Sequence, residues 1–256
     1  KPRLIRDSYQ MLHSVPVCLD IRTKGLIGII GGMEKKRCYI PVWNMIAQIA
    51  ANNCYTDVKM VFFYDQNRSA GNWSFTRWLP HVWTQDHRAR LIAGSKTEIG
   101  DVCYELSKVL QLRTEENGKK EYPLPHFVIF VDGPELLEGE ILERYICSPR
   151  PEYGITTVLL AERYEDLPNS CENIIQNDGA APRFFHVYNE EEQTKELVFD
   201  SITREELDAL SRRLCGIEVN EELGNGEIPS SLDFMEMYGV HTLEELHVLE
   251  RWKKNR

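Results

Sequence analysis

The chain has 256 residues, 42% of them hydrophobic, and a formal net charge of −10. That apolar content suffices for a packed core and excludes an intrinsically disordered chain. The acidic balance lacks the basic face that neutralises phosphates, so nucleic acid is not an expected partner.

The sequence starts at Lys1 and not at a methionine, so the chain is expected to be a piece of a longer protein. No apolar run approaches the ~18 residues that span a bilayer, which places any membrane attachment outside this piece. A weak strand signal covers 15–21, with Pro16 suggesting a sheet edge. Leu26, Ile27, Ile29 and Ile30 then form a short apolar run of the buried-strand kind. Gly31 and Gly32 end it, and a helical pattern opens near Tyr39. Val42, Met45, Ile46, Ile49 and Ala50 line one face of that helix, and Pro41 is tolerated in its first turn. Strand, glycine-containing loop and helix together make the local architecture of a phosphate-binding loop.

The loop's chemistry departs from that architecture. A working loop reads G-x-x-x-x-G-K-[ST], so that amides cradle phosphate, Lys reaches it and a hydroxyl holds magnesium. Here the eight places are Gly31, Gly32, Met33, Glu34, Lys35, Lys36, Arg37 and Cys38. Lys36 brings a Cβ to the second glycine position. Arg37 offers a planar fork in place of a compact ammonium, and the Cys38 thiol is a poor ligand for hard Mg²⁺. Glu34 adds negative charge beside a polyphosphate. Two readings stay open: a loop that still binds nucleotide weakly with magnesium, and a loop that only joins strand to helix.

A second strand is expected from Val58 to Asp65, then a polar loop over 66–72. Trp73, Trp78 and Trp83 follow, either as an exposed partner surface or as packing under a long loop. A short strand over 88–93 precedes a long helix ending near Arg113, with Ile99, Val102, Cys103, Leu106, Val109 and Leu110 on one face. Phe127 to Val131 is a continuous apolar strand of the sort buried on both faces. It ends in Asp132, which suits either a metal-linked acid or the cap of a helix over 134–147 with Leu137, Ile141, Leu142 and Tyr145 inward. Gly133 follows where a water-polarising Glu would stand, and Glu135 comes two positions further on. Asp132 and Glu135 are therefore the candidate catalytic acids, and Asp132 the candidate metal ligand.

Ile155 to Leu160 is another buried strand, with Glu162 just beyond it. Residues 166–175 are expected to be a short helix, and 184–187 with 195–199 a late strand pair. Thr203 and Glu206 form a capping box before Leu207, Leu210 and Leu214. Residues 216–256 form an acidic, glycine-containing linker and a helical arm with a second capping box at Thr242 and Glu245, so 1–215 and 216–256 are the expected domains. The histidines have no metal-ligand spacing. Seven cysteines, scattered and without a C-x-x-C pair, exclude a disulfide framework and fit a reducing compartment. Strands alternating with helices imply a doubly wound, mainly parallel sheet.

In order and spacing these landmarks resemble the FtsK/SpoIIIE family of RecA-like P-loop ATPases. The loop at 31–38, the strand ending Phe63-Tyr64-Asp65, the Leu79-Pro80-His81 turn, Phe130-Val131-Asp132 and Leu160-Ala161-Glu162-Arg163 carry the likeness. Within that family the chain looks like the EssC-type coupling proteins of the Firmicutes type VII secretion system. The segments carrying this are Ile49-Ala50-Ala51-Asn52-Asn53-Cys54, Arg77-Trp78-Leu79-Pro80-His81, 231–239 and 243–252. The resemblance implies the degenerate first ATPase module after the membrane segment. It also implies a membrane-anchored parent with this module on the cytoplasmic face, and a hexamer with other modules of the same ATPase. Type VII membrane components and secreted small helical substrates would be its other partners.

Overall fold

The computed structural model describes residues 15–115, 123–148, 150, 153–194 and 196–219. Two compact units, Lys1–Gly216 and Ile217–Arg256, divide the chain, and every described element belongs to the first. The helices expected at 233–240 and from 242 onward lie outside the described residues.

Eight strands form one sheet: β1 (Leu26–Ile30), β2 (Val58–Phe63), β3 (Ile92–Ala93), β4 (His126–Val131), β5 (Ile155–Ala161), β6 (Asn173–Gln176), β7 (Arg183–His186) and β8 (Asn189–Gln193), in the order β3-β2-β4-β5-β1-β6-β7-β8. The first six run parallel, and β7 and β8 are added antiparallel. The helices are α1 (Ile21–Lys24), α2 (Tyr39–Asn52), α3 (Gln66–Trp73), α4 (Lys96–Glu115), α5 (Glu143–Ile146) and α6 (Arg204–Leu214). Strand side chains alternate between the two faces. Leu26, Ile30, Val61, Phe63, Ile129 and Val131 meet α4 and the 134–146 segment on one face. Ile27, Ile29, Met60, Phe62, Val128 and Phe130 meet α2, Trp73 and Leu207 on the other. The sheet is covered on both faces, which accounts for its near-continuous apolar strands.

Several elements differ from the sequence expectation. Residues 66–72 are not a loop: Asp65 caps α3 by accepting from the Asn67 amide at 2.8 Å. The helix expected at 134–147 is a 3-10 turn (Pro134–Leu137) followed by α5, interrupted at Gly139 with φ +79°. Leu137 and Leu142 are buried as expected, but Ile141 is 76% exposed. The helix expected at 166–175 is replaced by a 3-10 turn (Tyr164–Asp166) and the parallel strand β6. There Asn173 Nδ2 donates to the Lys24 and Leu26 carbonyls, tying the strand to β1. No strand forms at 15–21, where α1 is the only regular element. The late hairpin turns at Val187 and Tyr188, so its second strand is Asn189–Gln193 (β8) in place of the strand expected at 195–199, where 196–199 carry no regular structure.

Candidate functional site

Because β5 lies between β1 and β4 and all three are parallel, their carboxyl ends share one rim, where open α/β sheets place ligands. Register sets Ile30 against Ala161 and Val131 against Leu159. The 31–38 loop, Asp132 and Glu162, far apart in sequence, are thereby brought together.

The loop is folded tightly on itself. A Cβ on Gly31 would overlap Cys38 Sγ and lie 2.6 Å from the Cys38 amide nitrogen, so the close approach requires glycine. Residues Met33–Cys38 form a 3-10 turn in which Glu34 (φ 57°) and Lys35 (φ 53°) are left-handed. That conformation costs non-glycine residues about 1 kcal/mol each. Four of the loop amides are taken internally. Gly31 N donates to Ala161 O at 3.0 Å, Gly32 N to Glu162 O at 3.2 Å and Lys35 N to Gly32 O at 2.9 Å. Glu34 N donates to the Glu162 carboxylate, Oε1, at 3.0 Å.

Cys38 is fully buried and faces the strands, its thiol donating to Ile29 O at 3.2 Å and reaching Ala161 O at 3.6 Å. Burial pushes that thiol up to about 12. Lys36 is exposed and ion-paired with Glu34 at 2.6 Å. The Lys36 bond and charge hold the Glu34 carboxyl below its ordinary range. Arg37 is exposed, its carbonyl accepting from Asn177 Nδ2 at 2.8 Å and its guanidinium lying against Gly179.

Asp132 is the centre of the rim. Its side chain is 1% exposed. Oδ2 accepts from the Tyr39 hydroxyl at 3.0 Å and from Trp73 Nε1 at 2.9 Å. Oδ1 has no hydrogen-bond donor among the described residues, and Lys35 Nζ stands 3.1 Å away as its ion-pair partner. The same ammonium donates to the Asp132 carbonyl at 2.6 Å. Burial, reinforced by the neighbouring carboxylate, raises the Tyr39 pKa, which keeps the phenol protonated as a donor. Asp132 does not cap a helix, since Gly133 occupies the N-cap of the following 3-10 turn with no side-chain bond. Glu135 is exposed on that turn, with its carboxylate folded back over Gly133.

Sequence reasoning thus singled out Asp132, Gly31, Gly32 and Cys38, which the fold does gather. It missed Lys35, Tyr39 and Trp73, which hold Asp132. Trp73 is buried and not a partner surface. Trp78 and Trp83 are half-buried, Trp78 under the Arg212 guanidinium at 4.3 Å and Trp83 against Arg90 at 4.5 Å in cation–π contacts. All seven cysteines are free thiols. Among the described residues no group of three or more His, Cys, Asp or Glu could hold a metal ion. No described helix is long and apolar enough to cross a membrane.

Sheet order, helices on both faces and the strand–loop–helix at β1 define a module of the P-loop ATPase fold. No protein-family model matches the chain. The type VII secretion system protein EssC of Staphylococcus aureus strain NCTC 8325 is 24% identical over 220 residues, 82% of this chain, and so is EssC of strain MRSA252. The chain spans 14% of the length of these relatives. Among solved structures, EssC (ATPases 2 and 3) from Geobacillus thermodenitrificans superposes with a TM-score of 0.54 at 14% identity, over 75% of this chain and 44% of that one. Thermomonospora curvata EccC (ATPases 2 and 3), in complex with a signal sequence peptide, gives 0.52 at 16% identity, over 78% and 43%. Both structural likenesses show the fold. Over most of its length the chain is thus similar to part of the EssC-type type VII secretion proteins.

Proposed function

We propose that this chain is a pseudo-ATPase module of a type VII secretion coupling protein, one that neither binds nor hydrolyses nucleotide at its own loop. The observation that carries this reading is that the groups which would meet a phosphate and its metal are already engaged within the chain. The Glu34 amide is on Glu162, Asp132 is on Lys35, and Cys38 points into the sheet. Magnesium and nucleotide do not fit these residues. A soft, buried thiol stands where a hard ion wants a hydroxyl. Two carboxylates, Glu34 and Glu162, flank the loop and repel a polyphosphate.

The module's work is then mechanical: contacts with copies and sister modules of the same ATPase, in a hexameric parent anchored in the membrane, with this module on the cytoplasmic face. It links the type VII membrane components to downstream modules that consume ATP and handle small helical substrates. The relation to EssC supports this placement. Thermal unfolding with and without Mg-ATP tests the reading. A ligand at about 100 times its Kd adds about 2.7 kcal/mol, which raises the Tm of a domain this size by roughly 5–10 °C. No rise at millimolar nucleotide is expected. A rise of that size, with hydrolysis abolished by Asp132→Ala, overturns the reading.

A further inference from the structure

We infer that α6 is a releasable strap on the Asp132 cluster: docked, it holds the stretch of α3 that keeps the Trp73 indole on Asp132, and released, it lets that indole go. The inference deepens the mechanical role proposed above, rests on it for what such coupling serves, and names the element that carries it.

Three observations converge. First, α6 grips one continuous piece of backbone on both sides of Trp73, because α3 runs without a break into the 3-10 turn Ser74–Trp78. Arg204 Nη1 donates to the Gly71 carbonyl at 3.3 Å on one side, and the Arg212 guanidinium lies 4.3 Å over the Trp78 ring on the other. Between these grips Leu207 is fully buried in the apolar cluster that also contains Trp73 and Phe75.

Second, Trp73 hands that grip on to the rim. Its ring is buried against Tyr39 and Phe62, with centroids 6.0 and 5.6 Å away, and its Nε1 donates to Asp132 Oδ2 at 2.9 Å. Such bonds seldom exceed about 3.2 Å, so a small displacement of α3 takes a donor away from a buried carboxylate. Third, α6 itself is lightly held. Only Leu207 and Ser211 along it are buried, and the Ser211 hydroxyl is satisfied within the helix by the Leu207 carbonyl at 2.7 Å. Elements with few buried apolar contacts open at the low end of the free-energy scale. The second unit begins at Ile217, directly after α6 in the chain, so load on the chain beyond Gly216 reaches this helix first. Coupling of this kind is reciprocal: releasing α6 loosens Trp73, and dislodging Trp73 loosens α6.

The experiment is hydrogen exchange of the full chain followed by NMR, for the unaltered protein, the double variant Arg204→Ala/Arg212→Ala, and Trp73→Phe. Both arginines are exposed, so the double variant keeps the fold, and Tm confirms folding for each. Trp73→Phe keeps a ring in the core and removes the donor. In the double variant the α6 amides and the Trp73 indole N–H are both expected to exchange at least about tenfold faster, as local opening becomes easier, while the β4 amides are unchanged. In Trp73→Phe the α6 amides are expected to exchange faster by a similar factor, again with β4 unchanged. An indole N–H that stays protected while α6 opens would overturn the inference. So would α6 amides that either variant leaves unchanged, or acceleration that extends equally to β4. No nucleotide enters the measurement, so any of these failures leaves the pseudo-ATPase reading standing, and nucleotide binding that overturned that reading would leave the strap in place.

Discussion

A carboxylate as deeply buried as Asp132 is tolerable only because each oxygen has a partner, and the partners differ in kind. Tyr39 and Trp73 supply neutral donors and Lys35 supplies the compensating charge. Removing one member of a buried pair leaves an uncompensated charge and costs about 3–5 kcal/mol. Lys35→Met is therefore expected to lower stability by about 3 kcal/mol, or a Tm drop of about 6–12 °C. Adding Asp132→Asn should recover part of that loss, because the stranded charge is gone. Urea midpoints of the two single variants and the double variant measure it, and a Lys35→Met cost within about 0.5 kcal/mol, as for an ordinary surface change, would refute the pairing. The sequence directed attention to Lys36, Arg37 and Cys38, because those positions stand where the phosphate-loop pattern has its functional residues. Spacing carries no information about φ, and it is the left-handed turn at Glu34 and Lys35 that sends Lys35 inward. The partners of Asp132 were illegible for a different reason: Tyr39 and Trp73 meet it only through the packing of α2 and α3 against the end of β4.

Among the elements, those built from local signals were legible and those built from tertiary contacts were not. The capping box of α6 lies within one turn, and it forms as read: Thr203 Oγ1 accepts the Glu206 amide at 3.2 Å while Glu206 accepts the Thr203 amide at 2.8 Å. Losing such a cap costs about 1 kcal/mol, so Thr203→Ala should lower the urea midpoint accordingly with the m-value unchanged. An unchanged midpoint would mean that α6 is held by Leu207 and the Arg212–Trp78 contact alone. By contrast, α3 is rich in Asn, Ser and Gly residues, which are poor guides to a helix. It forms because Asp65 caps it and Trp73 anchors it in the core. Strand β6 has only two apolar residues flanked by Asn173 and Gln176, and its identity comes from pairing with β1 and β7.

At the scale of the whole molecule, the sheet separates two chemistries. The carboxyl rim holds the Asp132 cluster, while the amino ends of β4 and β5 hold a buried histidine. His126 Nε2 lies 2.8 Å from Thr156 Oγ1, whose hydroxyl also donates to the Ile21 carbonyl. Burial, aided by the Arg22 and Arg113 charges, pushes the His126 pKa down to about 4, and burial lowers that of His81 as well. Both imidazoles are neutral in the folded protein and have an ordinary value near 6.5 when unfolded. Depressed folded values mean that the unfolded chain binds more protons below that point. The full stabilisation is present above pH 6.5 and is lost as pH falls from 6.5 toward about 4. For His126 alone the loss reaches at most about 3 kcal/mol across that window, at about 1.4 kcal/mol per unit. Urea unfolding at pH 7.5, 5.5 and 4.5, for the unaltered chain and His126→Asn, should show the variant losing less stability on acidification. Parallel acid losses in the two would place the sensitivity elsewhere. Since His126 stands at the end of β4 opposite Asp132, the His126→Asn change should leave the stability cost of Lys35→Met unchanged at pH 7.5, as for distant sites without shared partners, which separates the stability of the scaffold from the state of its rim.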